Sequence, residues 1–501
     1  MKYLFGEGVL LVIVGILICL PTLQYEPYGI DHLYNTKRLF EIGLLGLIGS
    51  VLLFSTNSRI QTASFIQFYS IKFRLFLMAI FLIGAVSCFF SLHKEWALLD
   101  YSHYLLLSTT IFFVASITYK DINKAVLYLK VAVIGFVFFY SCRVLIFYFL
   151  SQVGSIPLWP GSVNGKALYS FSYIRFFNQT QTWTIPILIS LSWYGWNSIK
   201  KDWLRWGSVI LTIWWGALVF ASGARGTILS IVVSFFIMFG LFVKNKSSFL
   251  RHNSLIVAFT LICYYIFFKI LGSSTSLSVL RTDSSGRIDH WIDLIHGMLE
   301  KPLLGYGPMH YASVELNKSW GHPHNWFLQF GYEWGIIVAL ILLGIFIFGL
   351  YKFGSQLKVN LKTENYTQER YWIKFGLLWS MIAAFIHGFL SGIIVMPLSQ
   401  VWLILIVGVS MGLYIEERET GKTLLKSKGD RVTANIVASL VIISFIGFLS
   451  WSMKHPIDRG KADSLFYKKS ESSKSYPRFW QQGKIGWEKD EPGKREVEID
   501  N

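Results

Sequence analysis

Two histidines flank a proline in Gly-His-Pro-His-Asn, residues 321–325, just before an amphipathic run that continues into the apolar stretch 336–350. A histidine whose ordinary pKa lies near 6.5 can take a proton at neutral pH. His324, at the mouth of a candidate membrane helix, is therefore a candidate general base. Asn325 can cap the helix that follows, and Pro323 stiffens the approach to it. Two arginines open predicted helices elsewhere. In Ala-Ser-Gly-Ala-Arg-Gly-Thr, Arg225 closes one apolar segment and Gly226 opens the next. Free N–H groups and a positive dipole end at such a place favour an anion, and a guanidinium grips two of its oxygens at once. Gly226 lets a ligand approach the backbone closely. Arg287 starts a second helix in the same way, and Arg175 lies in Tyr-Ile-Arg-Phe-Phe-Asn-Gln. A base beside two phosphate seats is the chemistry these residues offer. The plainer alternatives are a structural cap at Asn325 and arginines anchored in lipid headgroups. Zinc binding by His310, His322 and His324 lacks the usual ligand spacing and a cysteine partner.

The elements that must position these groups are membrane helices. Of 501 residues, 53% are hydrophobic and only 15% charged, against about a quarter charged in a soluble chain. About thirteen apolar segments approach the roughly 20 residues a helical span needs: near 4–22, 39–55, 75–92, 99–118, 125–150, 182–198, 205–221, 226–243, 254–271, 326–351, 373–395, 397–415 and 433–452. The net charge of +17 sits largely in alternate loops. That is the topology signal of an inner-membrane protein, not a nucleic-acid footprint. It places the N-terminus in the cytoplasm and the segment 272–325 outside. With thirteen spans the basic tail, 453–501, is also outside. The N-terminal 22 residues resemble a signal peptide but lack a small-residue cleavage site, so they read as a retained first span. Cys19, Cys88, Cys142 and Cys263 lie inside apolar runs, as packing residues do.

Arg175, Arg225, Arg281 and Arg287 fall on the side the orientation rule disfavours and so want another explanation. Arg143 lies within the fifth span and reads either as functional or as a snorkelling or paired arginine. In the outer segment, Ile288, Trp291, Ile292, Ile295 and Leu299 share one face of a predicted helix that Pro302 ends. That face suits the membrane interface or the bundle. Asp289, Asp293, His296 and Glu300 lie opposite, a solvated face or a metal cluster.

These stretches resemble the O-antigen ligase family, whose superfamily also holds O-antigen polymerases and bacterial O-linked oligosaccharyltransferases. The segment from His322 to Gly335 is similar to the ligase signature at His324, Asn325 and Gly335, and departs from it at Val338. The Arg225-Gly226 pair is similar to the family's arginine-glycine motif, with Ala224 where serine is usual. Arg287, Trp291, Pro302, Gly305 and Gly307 match a third motif. Together the motifs span roughly 175–400. The resemblance implies an all-α polytopic membrane protein, a GT-C-type bundle of about 12–13 transmembrane helices with one large periplasmic loop. Residues 1–452 would form the transferase domain, with a ligase-like core at 175–415, the loop at 272–325 and a short polar tail at 453–501. It further implies metal-independent transfer, without a cofactor, of a glycan from undecaprenyl pyrophosphate to an acceptor hydroxyl at the periplasmic face of the inner membrane. His324, Arg287 and Arg225 would be catalytic. Arg225, Gly226, Arg287, Arg175 and Asn325 would hold the donor.

The acceptor is expected to be lipid A core. A pilin-type protein, as in O-linked oligosaccharyltransferases, and a growing O-antigen chain are the alternatives. A transporter or lipid flippase is the rival of a different class, but it would bury its site at broken helices between two related halves. A metal-dependent oligosaccharyltransferase would be expected to show a Trp-Trp-Asp motif, whereas Trp214-Trp215 is followed by Gly216.

Overall fold

A computed structural model describes residues 4–22, 33–153, 170–198, 202–271, 287–313, 321–360, 368–419, 428–452, 478–480 and 485. The Arg281 position, the 272–286 and 314–320 parts of the outer segment and most of the tail lie outside these residues. The described chain is helical: α1 (Leu4–Thr22), α2 (Leu33–Phe54), α3 (Thr56–Gln67), α4 (Ile71–Phe89), α5 (Lys94–Lys120), α6 (Ile122–Gln152), α7 (Ile174–Ser198), α8 (Asp202–Ala221), α9 (Arg225–Phe242), α10 (Lys246–Tyr265) with a π-helical turn (Ile266–Ile270), α11 (Arg287–Glu300), α12 (His310–Ser313), α13 (Trp326–Trp334), α14 (Ile336–Asn360), α15 (Gln368–Gly388), α16 (Pro397–Arg418) and α17 (Lys428–Ser452). The protein is an all-α polytopic membrane protein.

Each of the thirteen apolar segments falls largely on helix, although 373–395 runs past the end of α15 into a loop. By length and hydropathy, eight helices among the described residues qualify outright as spans, and a ninth if α2 and α3, bent by 100°, count as one. The remaining segments fall short for identifiable reasons. α1 and α8 are short in their described parts. α7 and α15 are long enough but carry polar side chains inward. In α7, Asn178 donates to Ser222 Oγ at 2.8 Å and Gln181 to the Trp215 carbonyl at 3.0 Å, tying α7 to α8. In α15, Lys374 is fully buried and pairs with Glu417 at 2.6 Å. Such groups lower hydropathy yet are satisfied inside the bundle, as a bilayer demands.

The two ends of the bundle differ. One end gathers the ion pairs Glu7–Lys124, Lys130–Glu369, Arg370–Glu416 and Lys374–Glu417. The other gathers the first turns of α7, α9, α11 and α13. Arg143 donates to the Thr22 carbonyl at the end of α1 and lies 5.3 Å from the Phe147 ring centre, so here it braces two helices.

Two expectations change. The run 326–351 is two helices, broken at Gly335, whose φ is +96°. Eight of the nine α13 residues are buried, so α13 is an interior helix and the apolar span is α14. The Pro302–Gly307 loop wraps the broken end. Tyr306 N–H donates to the Tyr332 carbonyl, Gly307 N–H to the Glu333 carbonyl and Ile336 N–H to the Pro302 carbonyl, all at 2.8–2.9 Å. The approach is too close for side chains. A Cβ at Gly305 would lie 2.6 Å from Glu333 backbone atoms, and one at Gly335 2.3 Å from the Leu303 carbonyl. The loop thus supplies carbonyl partners that a helix terminus otherwise lacks. In α11 the buried side is His290, Leu294, Gly297 and Met298. Ile288, Ile292, Ile295 and Leu299 point outward, so of the two destinations expected for that face the bundle interior is excluded.

The tail, from which no contact was expected, reaches the same end. Arg478, Phe479 and Trp480 are buried. Arg478 donates to Glu333 at 2.5 Å and to Asp100 at 3.3 Å. Beside it, Arg38 pairs with Glu41 at 2.5 Å and donates to Gln400 and the Val395 carbonyl, each at 2.6 Å. Removing one member of such a buried network costs on the order of 3–5 kcal/mol, because the partner is left charged and dry.

Gly305→Ala is expected to destabilise the protein by about 1–3 kcal/mol through this forced contact. Gly344→Ala, in an open part of α14, is expected to be neutral or slightly stabilising. Melting of the detergent-purified variants checks the pair; equal behaviour would show that the 302–307 loop does not clasp α13.

Candidate active site

Three helix starts and one loop meet at this end. α7 contributes Arg175, in its first turn. Its guanidinium donates to the Gly223 carbonyl at 2.7 Å and to the Ser222 carbonyl at 3.4 Å. It therefore braces the turn that delivers Arg225, a turn made by Gly223 at φ +59°. α9 then begins without a side-chain cap, since its N-cap is Ala224. The uncapped N–H groups at Gly226 and Thr227 leave the dipole end of an apolar helix facing the site. α11 contributes Arg287, which donates to the Leu390 carbonyl at 2.9 Å. Burial lowers the Arg287 pKa, and repulsion from Arg175 and Arg225 lowers it further. Arg175, Arg225 and Arg287 thus share one electrostatic neighbourhood of like sign, which an anion would relieve.

His324 faces the same neighbourhood. Its φ is +57°, the left-handed region, where a residue other than glycine costs on the order of 1–3 kcal/mol. Its neighbours hold it there. Asn325 is extended, and its side chain accepts from Phe327 and Leu328 N–H at 3.0 and 3.1 Å, capping α13 as expected. The Pro323 carbonyl accepts from the Trp291 indole at 2.9 Å, which fixes the loop on α11. The His322 and His324 rings lie 4.2 Å apart, and His322 packs on Gly392, where a Cβ would stand 2.2 Å from its Nε2. Burial, then His322, Arg287 and His290, hold the His324 pKa well below its ordinary value. At neutral pH its imidazole is uncharged and has a lone pair to accept a proton.

The structure therefore brings together Arg175, Arg225, Gly226, Arg287, His324 and Asn325. It also adds His387, which sequence reading passed over. His387 closes α15, with Nδ1 2.7 Å from Thr182 Oγ1 and Nε2 3.1 Å from where a Gly226 Cβ would be. An ionisable residue near the end of a span was signal enough to find it. The loop 389–396 that follows is the site's floor. Leu390 holds Arg287, Ser391 Oγ accepts from Gln179 at 3.0 Å, Gly392 carries His322, and Val395 accepts from Arg38. The Asp289, Asp293, His296 and Glu300 face is solvated, with all but Asp293 exposed. Among the described residues, no three His, Cys, Asp or Glu side chains gather with metal-ligand geometry.

Two histidines at this end predict a pH response. Burial, then Lys301 and His93, lower His310 to about 4; His324 is lowered as well. Both shifts are downward, so the unfolded chain binds these protons first. Stability is complete above the unfolded pKa near 6.5 and is lost as pH falls toward the folded values. The melting temperature should drop between pH 7 and pH 5, and His310→Asn should flatten that slope. A melting temperature that rises over the interval would contradict the assignment.

The O-antigen ligase family profile matches residues 210–343. The match begins within α8 and ends within α14, and so contains Arg225, Gly226, Arg287, His324 and Asn325 but neither Arg175 nor His387. Among curated proteins none matches the chain. The arginine helix starts of α9 and α11, the loop on α13 and the half-buried His-Asn turn all lie inside the matched region, so residues 210–343 are similar to the O-antigen ligase family.

Proposed function

We propose that this O-antigen ligase-type glycosyltransferase moves a glycan from undecaprenyl pyrophosphate to an acceptor hydroxyl at the periplasmic face of the bacterial inner membrane, with lipid A core as the acceptor. The observation that carries the proposal is the neighbourhood that Arg175 and Arg225 share with Arg287, which in turn acts on His324, a residue held in the left-handed region. A polyprenyl donor keeps its lipid in the bilayer and its pyrophosphate at headgroup level. α9 is apolar and of spanning length, so a group bound at its start would sit at that level.

In this mechanism the pyrophosphate lies against Arg225, the free N–H groups of α9 and Arg287. Arg175 acts one step back, by bracing the 222–224 turn. The acceptor oxygen attacks the anomeric carbon of the donor sugar. The carbon–oxygen bond to the pyrophosphate breaks as the glycosidic bond forms. His324 takes the acceptor proton, a contribution of about 10²–10⁴-fold. The arginines stabilise the charge that grows on the departing polyprenyl pyrophosphate, the role in which fixed donors are most effective. These charges do the work a divalent ion would otherwise do, so the mechanism needs no metal.

His324→Ala is expected to reduce transfer at least a hundredfold at unchanged membrane abundance, and His322→Ala far less. Arg225→Lys and Arg287→Lys keep charge but lose the two-pronged grip. Each is expected to cost about a hundredfold, or about 3 kcal/mol, with weaker donor binding. Activity in excess EDTA should persist. Near-normal transfer and donor binding in both lysine variants would refute the pyrophosphate seat. Lipopolysaccharide and glycoproteins compared in a deletion strain would decide the acceptor: loss of glycan from lipid A core alone supports the ligase reading over protein glycosylation.

A further inference from the structure

We propose that the tail residues Arg478–Trp480 form an intramolecular clasp that positions both walls of the active site, with Arg478 as its positioning residue. The activity arm of this inference rests on the transferase reading above; the structural arm does not.

The clasp reaches the site by two routes. In the first, Arg478 lies between Asp100 of α5 and Glu333 of α13. Its Nε also donates to Met309 Sδ at 3.2 Å. Glu333 is the next-to-last residue of the nine-residue helix whose N-cap is Asn325, next to His324. A helix this short and this buried moves as one body, so the position of Glu333 sets the position of the His324 turn. In the second route, backbone carbonyls of the clasp take the donors of α2. The Arg478 carbonyl accepts from the Tyr34 hydroxyl at 2.7 Å, and the Phe479 carbonyl from Arg38 Nε at 2.9 Å. The other arm of Arg38 holds the Val395 carbonyl, in the loop that carries Leu390, Ser391 and Gly392 beneath Arg287 and His322.

The seat is built for this segment. Arg38 stacks on the Phe479 ring at 4.9 Å, and Phe448 and His103 close around that ring. Ile485 N–H donates to the Ala312 carbonyl at 3.2 Å, fixing the segment on α12. Without Arg478, the Asp100 and Glu333 carboxylates share a dry space with no cation between them. Glu333, whose carboxyl pKa burial already raises to about 7, then takes a proton, and α13 loses the charged tie that holds it and the His324 turn to α5.

The experiment compares the full chain with a truncation after residue 477, a truncation after residue 485, and Arg478→Lys. Nη2 alone meets both carboxylates, so a lysine ammonium keeps the charge between them but loses the fork whose Nε also holds Met309 Sδ. Amide exchange in α13 and in 389–396 reads the structural arm, and kcat and donor KM per folded molecule read the activity arm. The truncation after 477 is expected to speed exchange in both segments at least tenfold. It is expected to lower kcat at least tenfold with donor KM changed less than threefold. Arg478→Lys should do the same in smaller measure, and removal of 486–501 should do neither. If the shorter protein does not reach the membrane, Arg478→Lys is judged on the same readings. Unchanged exchange, or exchange that speeds while kcat per folded molecule stays at the full-length value, overturns the clasp. If the full-length protein shows no transfer at all, the transferase reading fails while amide exchange still decides the clasp.

Discussion

The buried C-terminal end of α13 is the constraint on which the rest of this site depends. A helix that stops inside a protein leaves carbonyls without partners, and inside a bundle no bulk water replaces them. Here a fully buried carboxylate, Glu333, sits at the same end. Three separate parts of the chain answer that demand. The 302–307 loop gives N–H groups to the Tyr332 and Glu333 carbonyls. Ser87 of α4 donates to the Glu333 carbonyl at 3.1 Å and to the Leu304 carbonyl at 2.6 Å. Arg478 supplies the counter-charge. Once this end is fixed, the other end of α13 has little freedom. Asn325 caps it, and His324 is left in the backbone conformation that the cap and Pro323 impose.

Electrostatics divides the same region into two parts that must not mix. Around α13 the charges are opposite and close, so they cancel over a few ångströms. Around the starts of α7, α9 and α11 they are of one sign, and burial followed by their mutual repulsion depresses the pKa of Arg287. A uniform positive seat is poorly stable by itself and becomes favourable when an anion arrives. His324 lies at the border. Burial first, then His322, Arg287 and His290, hold its pKa well below the ordinary value, which leaves the imidazole unprotonated. Glycine at 226 belongs to this arrangement. Any side chain there would press on His387, 3.1 Å away, at the place where a ligand would meet the α9 N–H groups.

Much of this was legible in the sequence because its signals are local. Apolar length finds helices, and all thirteen segments fall largely on helix. Arginines on the disfavoured side of the membrane, at helix starts, and a histidine before a capping asparagine pointed to residues that the fold brings together. What was not legible is what depends on distance between elements. Periodicity gave α11 an apolar face but not which side faces the bundle; the interior took His290, Leu294 and Gly297, because Gly297 admits the Tyr332 ring closely. The break at Gly335 is hidden inside a continuous apolar run, since what crowds it is the Leu303 carbonyl, 32 residues earlier in the chain. The Arg478 contact is hidden for the same reason, as its partners, Asp100 and Glu333, lie far away in the chain. Arg38, Glu41, Asp100 and His103 did carry a local signal, as charged and titratable groups in apolar surroundings, and Arg38 and Glu41 open a helix whose apolar part begins right after them.

On the proposed function, the division between fixed and open surfaces is what a transfer at a membrane surface requires. A donor with a lipid tail enters from the side, through the bilayer, while an acceptor hydroxyl comes from above. One wall of such a site must be rigid, because attack geometry tolerates errors of well under an ångström or so before rates fall steeply. Another must be open to lipid. α13 with the tail residues forms a wall of the first kind: nearly every side chain in it is buried and its charges are paired. α11 has the properties of the second. It holds Arg287 at its first residue, it is fastened to the loop through Trp291, and it turns Ile288, Ile292, Ile295 and Leu299 outward. An apolar face beside a cationic helix start is the pairing that the proposed donor, a hydrocarbon at one end and a pyrophosphate at the other, would need.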